Sequence, residues 1–150
     1  MSNLYPPLQT GTAQPVFETD QSGRPNSGNA DTILLISESA AASGTYPSGD
    51  QINTNAHGVK VYLNISAIGA SVTVTVTIQG KDPVTGTAYT LLASVAKATT
   101  GFTVLTVYPG LTAATNAVAS DVLPHTWNVI AVVADTTGTP TFTVSCSYLL

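Results

Sequence analysis

Residues 59–66 alternate without a break: Val59, Val61, Leu63 and Ile65 share one parity, and Lys60, Tyr62, Asn64 and Ser66 share the other. A period of two places successive side chains on opposite faces, so the stretch is a half-buried strand with Tyr62 on its polar face. The same reading holds more strictly for residues 72–79, with Val72, Val74, Val76 and Ile78 inward and Thr73, Thr75, Thr77 and Gln79 outward. Ala67 to Ala70, including Gly69, is predicted to be the hairpin loop joining the two.

Further strands are predicted at TILLISES (32–39), AYTLLASVA (88–96), FTVLTVY (102–108), WNVIAVVA (127–134) and TFTVSCSYL (141–149). The last places Phe142, Val144, Cys146 and Tyr148 on one face. WNVIAVVA is apolar at nearly every position, which suits a strand covered on both faces or central in its sheet. Residues 43–58 are punctuated too often by Gly, Pro and Asp for a long element and read as a loop with a short edge strand. In KDPVTG (81–86), Pro83 sets up a tight turn and Gly86 supplies a positive φ. Pro109 and Gly110 close the 102–108 strand, residues 111–125 form a long crossover of the kind a Greek key uses, and residues 135–140 form a hairpin turn. Seven or eight strands, no persuasive helix and no repeat of fixed length predict an all-β fold, an antiparallel β-sandwich or jelly roll, over residues 32–150.

Residues 1–31 differ in kind. Pro6, Pro7, Pro15 and Pro25 lie among Gly, Ser, Asn, Gln and Thr with no apolar period, the composition of an extended N-terminal arm. Leu4, Tyr5, Leu8, Val16 and Phe17 are spaced as anchors for a neighbouring surface; a solvated tail is the alternative, and the pattern favours neither.

Composition narrows the function classes. A chain of 150 residues fits one domain. Only 8% of its residues are charged, where globular chains average about 25%. With a net charge of −4 and only Arg24, Lys60, Lys81 and Lys97 basic, the chain has no electropositive track for phosphates, so no direct nucleic-acid binding is expected. The N-terminus lacks the basic and apolar regions of a secretory signal, and no apolar stretch approaches about 20 residues. Synthesis in the cytoplasm and no membrane partner are expected.

Candidate chemistry is sparse. Cys146, the single cysteine, reads as a buried core thiol. His57, His125, Asp50, Asp82, Asp121 and Asp135 fall in predicted turns or loops, with no spacing that ties them into a nucleophile–base set or a metal site. No catalytic residue, metal or cofactor is expected. Asn64-Ile65-Ser66 matches the glycosylation sequon but lies mid-strand. Trp127, Tyr46, Tyr62, Tyr89 and Tyr108 suit either core packing or, with Tyr62 the best placed, a sugar-stacking platform.

Assembly is the stronger theme. A two-sheet domain has edges that monomers protect with charge, proline or bulges, yet the strands at 72–79, 102–108, 127–134 and 141–150 hold no charged residue. At least one uncharged edge or face is therefore expected to meet another chain, giving a homo-oligomer, with a trimer one form it could take. Threonine-rich outer faces add to this, because neutral hydroxyls can be buried without the desolvation cost of ions.

With IQGKDPVTGTAYTLL at 78–92, TVLTVYPGLT at 103–112 and ASDVLPHTW at 119–127, residues 58–150 resemble a group of small virion structural proteins of tailed bacteriophages. The resemblance implies a component of the viral particle. Within that group a capsid decoration (cement) protein, held on the outer face of the major capsid protein lattice, is the leading reading. A minor tail or baseplate component comes second, and a carbohydrate-binding module for the host surface third.

Overall fold

The structure, a computed structural model, describes residues 32–134 and 138–150. The expected arm at 1–31, with Leu4, Tyr5, Leu8, Val16 and Phe17, lies outside the described residues, as do positions 135–137 of the expected turn.

Ten strands follow one another along the described chain: β1 (Thr32–Glu38), β2 (Gly44–Pro47), β3 (Gln51–Ile52), β4 (Gly58–Ala67), β5 (Thr73–Lys81), β6 (Ala88–Ala93), β7 (Gly101–Val107), β8 (Val118–Ala119), β9 (Thr126–Ala134) and β10 (Thr141–Leu149). Eight have four or more residues, and β3 and β8 have two. The chain is all-β, built as two mostly antiparallel sheets. One runs β1-β10-β4-β7-β8; the other runs β2-β9-β5-β6, with β3 also pairing β9. Among the described residues the single parallel pairing is β7 with β8, at Thr106↔Val118 and Val107↔Ala119.

The alternating strands put one apolar row from each sheet into a shared core. Val59, Val61, Leu63 and Ile65 of β4 and Phe142, Val144, Cys146 and Tyr148 of β10 line the first sheet. Val74, Val76 and Ile78 of β5 and Trp127, Val129, Ala131 and Val133 of β9 line the second. Rings bridge the two: Tyr46 of β2 meets Phe142 of β10 edge-on at 6.0 Å, and Trp127 of β9 meets Tyr148 of β10 edge-on at 5.7 Å. Burying a Val, Leu, Ile or Phe side chain is worth about 1.5–3 kcal/mol, so these rows supply most of the stabilisation.

Two expected hairpins are corrected. The loop at 67–70 joins β4 to β5, and the loop at 135–140 joins β9 to β10, but in both cases the flanking strands belong to different sheets. The loop at 67–70 is thus an arch across the core. A period of two shows which face of a strand is apolar, and both strands of an arch point that face inward just as those of a hairpin do. The turn at 81–87 is a true hairpin between β5 and β6: Asp82 N–H donates to Thr87 O at 2.9 Å, and Gly86 takes φ +71°.

Of the four uncharged stretches, those at 72–79, 127–134 and 141–150 fall in or along β5, β9 and β10, each of which has a neighbour on both sides. Only β7 is partly open, because β8 covers it at two residues. The remaining edges are β1, β2 with β3, and β6.

Candidate functional site

The outer face of the first sheet is where exposed apolar side chains gather. Register sets its rows: Leu34, Ser145, Tyr62 and Val104 lie abreast on β1, β10, β4 and β7. The next row places Ser37, Thr143, Asn64 and Phe102 side by side. On the other flank lie Thr32, Ser147, Lys60 and Thr106. Leu34 is 62% exposed, Phe102 61% and Val104 39%, with Tyr62 half-buried between them. The rings of Tyr62 and Phe102 sit 5.8 Å apart and tilted by 31°.

A register shift between Leu34 and Ile36 puts a bulge in β1, so Leu34 turns outward while Ile36 enters the core two positions later. On β7, Leu105 and Val107 face the core while Phe102 and Val104 face out. Lys60 is the single charged side chain in these three rows. Serine, threonine and asparagine fill the other positions, so this face can be covered by another surface without stranding ions.

Of the sequence-predicted site residues, Tyr62 is the one the structure describes, and it stands at the centre of this strip. Leu34, Phe102 and Val104 went unnamed in the sequence reading, although a signal existed. Strand 102–108 carries apolar residues at both parities, which one buried face does not require. The five aromatic residues weighed as a platform are not assembled: Trp127 is buried in the core, Tyr46 packs on Phe142, and Tyr89 lies against Gly80. Tyr108 stacks on His57 at 6.4 Å.

The titratable side chains are scattered over separate structural tasks. Lys81 Nζ and Asp50 Oδ1 pair at 2.6 Å, tying the end of β5 to the loop before β3. Asp82 accepts from the backbone N–H groups of Thr85 and Val84 at 2.7 and 2.8 Å, and these bonds hold its carboxyl below the usual aspartate range. His125 Nδ1 lies 2.8 Å from the carbonyl of Asn53. Asn53 is buried and closes its loop with three bonds: Nδ2 donates to Ala56 O and Leu123 O, and Oδ1 accepts from Ala56 N–H. Among the described residues, no three His, Cys, Asp or Glu side chains stand together to hold a metal ion.

The outer face of the second sheet is more polar. Thr73, Thr75, Thr77 and Gln79 of β5 face out, beside Asn128, Ile130 and Val132 of β9. Neither a protein-family model, nor a curated protein, nor a solved structure matches the chain. The likeness to phage virion proteins therefore rests on the quoted motifs alone.

Proposed function

We propose that this chain is a non-catalytic structural subunit, a β-sandwich that works by docking the outer face of its first sheet onto a neighbouring protein. The observation that carries this reading is the outer face on which Tyr62, Val104 and Phe102 adjoin and Leu34 stands on the far side of Ser145, with Leu34, Val104 and Phe102 exposed and hydroxyl-bearing side chains between and around them. Contiguous apolar patches on soluble monomers are small, and larger ones mark interaction sites.

Size then bears on stoichiometry. Four strands about 4.8 Å apart and seven residues at about 3.3 Å each give a face of roughly 450 Å². A stable interface takes about 800 Å² per partner, so one face alone holds weakly. A homo-oligomer presenting several faces to a repeating lattice gains by multivalency what a single contact lacks. This supports a bacteriophage capsid decoration protein, bound to the major capsid protein at many equivalent sites and tying neighbouring subunits together.

Quantified virion gels test the assignment. Hundreds of copies per particle are expected for decoration, whereas a few to some tens would move the protein to the tail or baseplate. Phe102→Ser combined with Val104→Ser should leave the fold intact and abolish particle binding; undiminished binding would remove this face from the reading. The Tyr62–Phe102 ring pair beside Asn64 also favours a second reading, a sugar-binding face. Glycan-array binding lost on Tyr62→Ala would select it.

A further inference from the structure

We propose that two copies of this chain join along the open stretch of β7, Gly101–Leu105, pairing antiparallel about a two-fold axis at Thr103, so that their first sheets become one. The pairing rests on the strand edge and not on the docking reading, whose face it leaves uncovered.

The open edge is the first argument. Among the described residues, β4 lies along one side of β7 from Gly101 to Val107, while on the other side β8 reaches only Thr106 and Val107. The other described edges each carry a device that discourages pairing. In β1, Leu35 is an extra residue in the register and Glu38 adds a charge; in β6, Leu91 is an extra residue. Strand β2 ends on Pro47, and β3 and β8 have two residues each. Gly101–Leu105 keeps an unbroken register with β4 and holds no charge, proline or bulge.

Backbone phase then selects the register. The N–H of Thr106 donates to Ala117 O at 2.8 Å and that of Tyr108 to Ala119 O at 3.1 Å, so even-numbered residues turn their N–H and C=O away from β4. By alternation Phe102 and Val104 do the same, and four backbone groups face the open side. Pairing centred on Thr103 sets Phe102 opposite Val104 of the second copy, and Val104 opposite Phe102 of the second copy. Both are hydrogen-bonded pairs, so all four groups find partners. A register centred on Val104 would instead set Phe102 against Thr106, whose N–H already serves Ala117. Phe102 and Val104 also meet across the joint as an aromatic and β-branched pair.

Thr103 supplies an independent observation. Its side chain shares the inward parity of Leu105 and Val107, and its Oγ1 is buried with no hydrogen-bond partner among the described residues. An unpaired buried hydroxyl is a cost that the single chain carries. On the two-fold axis the two Thr103 residues form a non-hydrogen-bonded pair with Cα atoms about 4.5 Å apart, where threonine hydroxyls bond to one another across the strands. The second copy thus satisfies the group that one copy leaves unmatched.

A two-fold axis normal to the sheet keeps both outer faces on the same side. The joined face is roughly 900 Å², twice that of one copy, and exceeds the about 800 Å² per partner that a stable interface takes. The shared edge itself is short, so the free protein dimerises weakly and responds to concentration.

Hydrogen exchange of the full-length protein at micromolar and near-millimolar concentration tests the pairing. The amides of Phe102 and Val104 should exchange several-fold more slowly at the higher concentration, whereas those of Thr103 and Leu105, already turned towards β4, should not change. Thr103→Cys gives a second measurement. In a glutathione buffer it should form an interchain disulfide, because the paired Cα separation lies within disulfide range, whereas Phe102→Cys should not. Cys146 is buried and does not compete. Adding Val104→Pro removes an outward N–H without touching a bond to β4, and should abolish the Thr103→Cys link. Exchange at Phe102 and Val104 that ignores concentration would overturn the proposal, as would Phe102→Cys linking as readily as Thr103→Cys. Particle binding enters neither readout, so the pairing and the docking face fail separately.

Discussion

Trp127 and Tyr148 meet edge-to-face across the core, their planes at 87° and the indole N–H donating to the phenol oxygen at 3.3 Å. Trp127 belongs to β9 and Tyr148 to β10, so this hydrogen bond and ring contact, with the Tyr148 hydroxyl also donating to Ile52 O of β3 at 3.5 Å, join the two sheets.

Tyr148→Phe keeps the ring but removes the acceptor, leaving a fully buried indole N–H unsatisfied. The expected loss is about 1–3 kcal/mol of stability. Urea unfolding followed by fluorescence measures it conveniently, since Trp127 is the single tryptophan.

Asn53→Asp replaces a donor with a carboxylate facing the carbonyls of Ala56 and Leu123. Two donated bonds are lost and acceptor is set against acceptor. Destabilisation should exceed that of Asn53→Ala, which itself should cost about 2 kcal/mol. Paired urea midpoints at neutral pH check the order, and Asn53→Asp should recover in part as the pH falls and the new carboxyl is protonated.

Gly58 and Gly49 should respond oppositely in kind to alanine. A Cβ at Gly58 would run into the backbone carbonyl of Val107 and the ring of Tyr108, so strands β4 and β7 would have to part. Gly49 has open space but φ +74°, which costs an alanine only about 1–2 kcal/mol. Gly58→Ala should therefore lower the melting temperature more than Gly49→Ala, and perturb the amide shifts of Val107 and Tyr108.

Burial pushes the Cys146 thiol up from 9.0 to about 12, only partly opposed by the backbone N–H of Ile33. The neutral thiol is the form the fold favours. Its contribution is complete below pH 9, the unfolded value, and is lost as the pH rises from there towards 12. At pH 8 a disulfide reagent should leave the folded protein unmodified and react with one thiol per chain after unfolding in urea. Cys146→Ser should flatten the decline in stability above pH 9.

The inward rows of β4, β5 and β10 were legible because buried valines and hydroxyl-bearing neighbours alternate there over eight or nine residues. Gly86 was legible for a different reason, since a tight turn after Pro83 calls for a positive φ. What the chain does not display locally is which strands pair. Arch and hairpin look alike at 67–70, because the deciding interactions come from partners far along the sequence. β8 escaped notice for the same reason: Val118 and Ala119 form a strand only because Thr106 and Val107 lie alongside. The exposed apolar side chains of the first sheet's outer face were half-visible. Tyr62 stood out as a ring on a polar face, but Leu34 is turned outward by a bulge that no residue pattern announced.

The pairing of β1 with β10 carries a consequence for biosynthesis. Thr32 bonds beside Ser147, 115 positions later, and β10 is the plank between β1 and β4. Strand β1 must wait for β10, so the first sheet closes only after residues 141–149 have been synthesised. A product truncated before Thr141 would leave β1 and β4 as two raw edges with nothing between them, and the cell's degradation machinery would meet an unfolded polypeptide in place of a slightly shortened subunit.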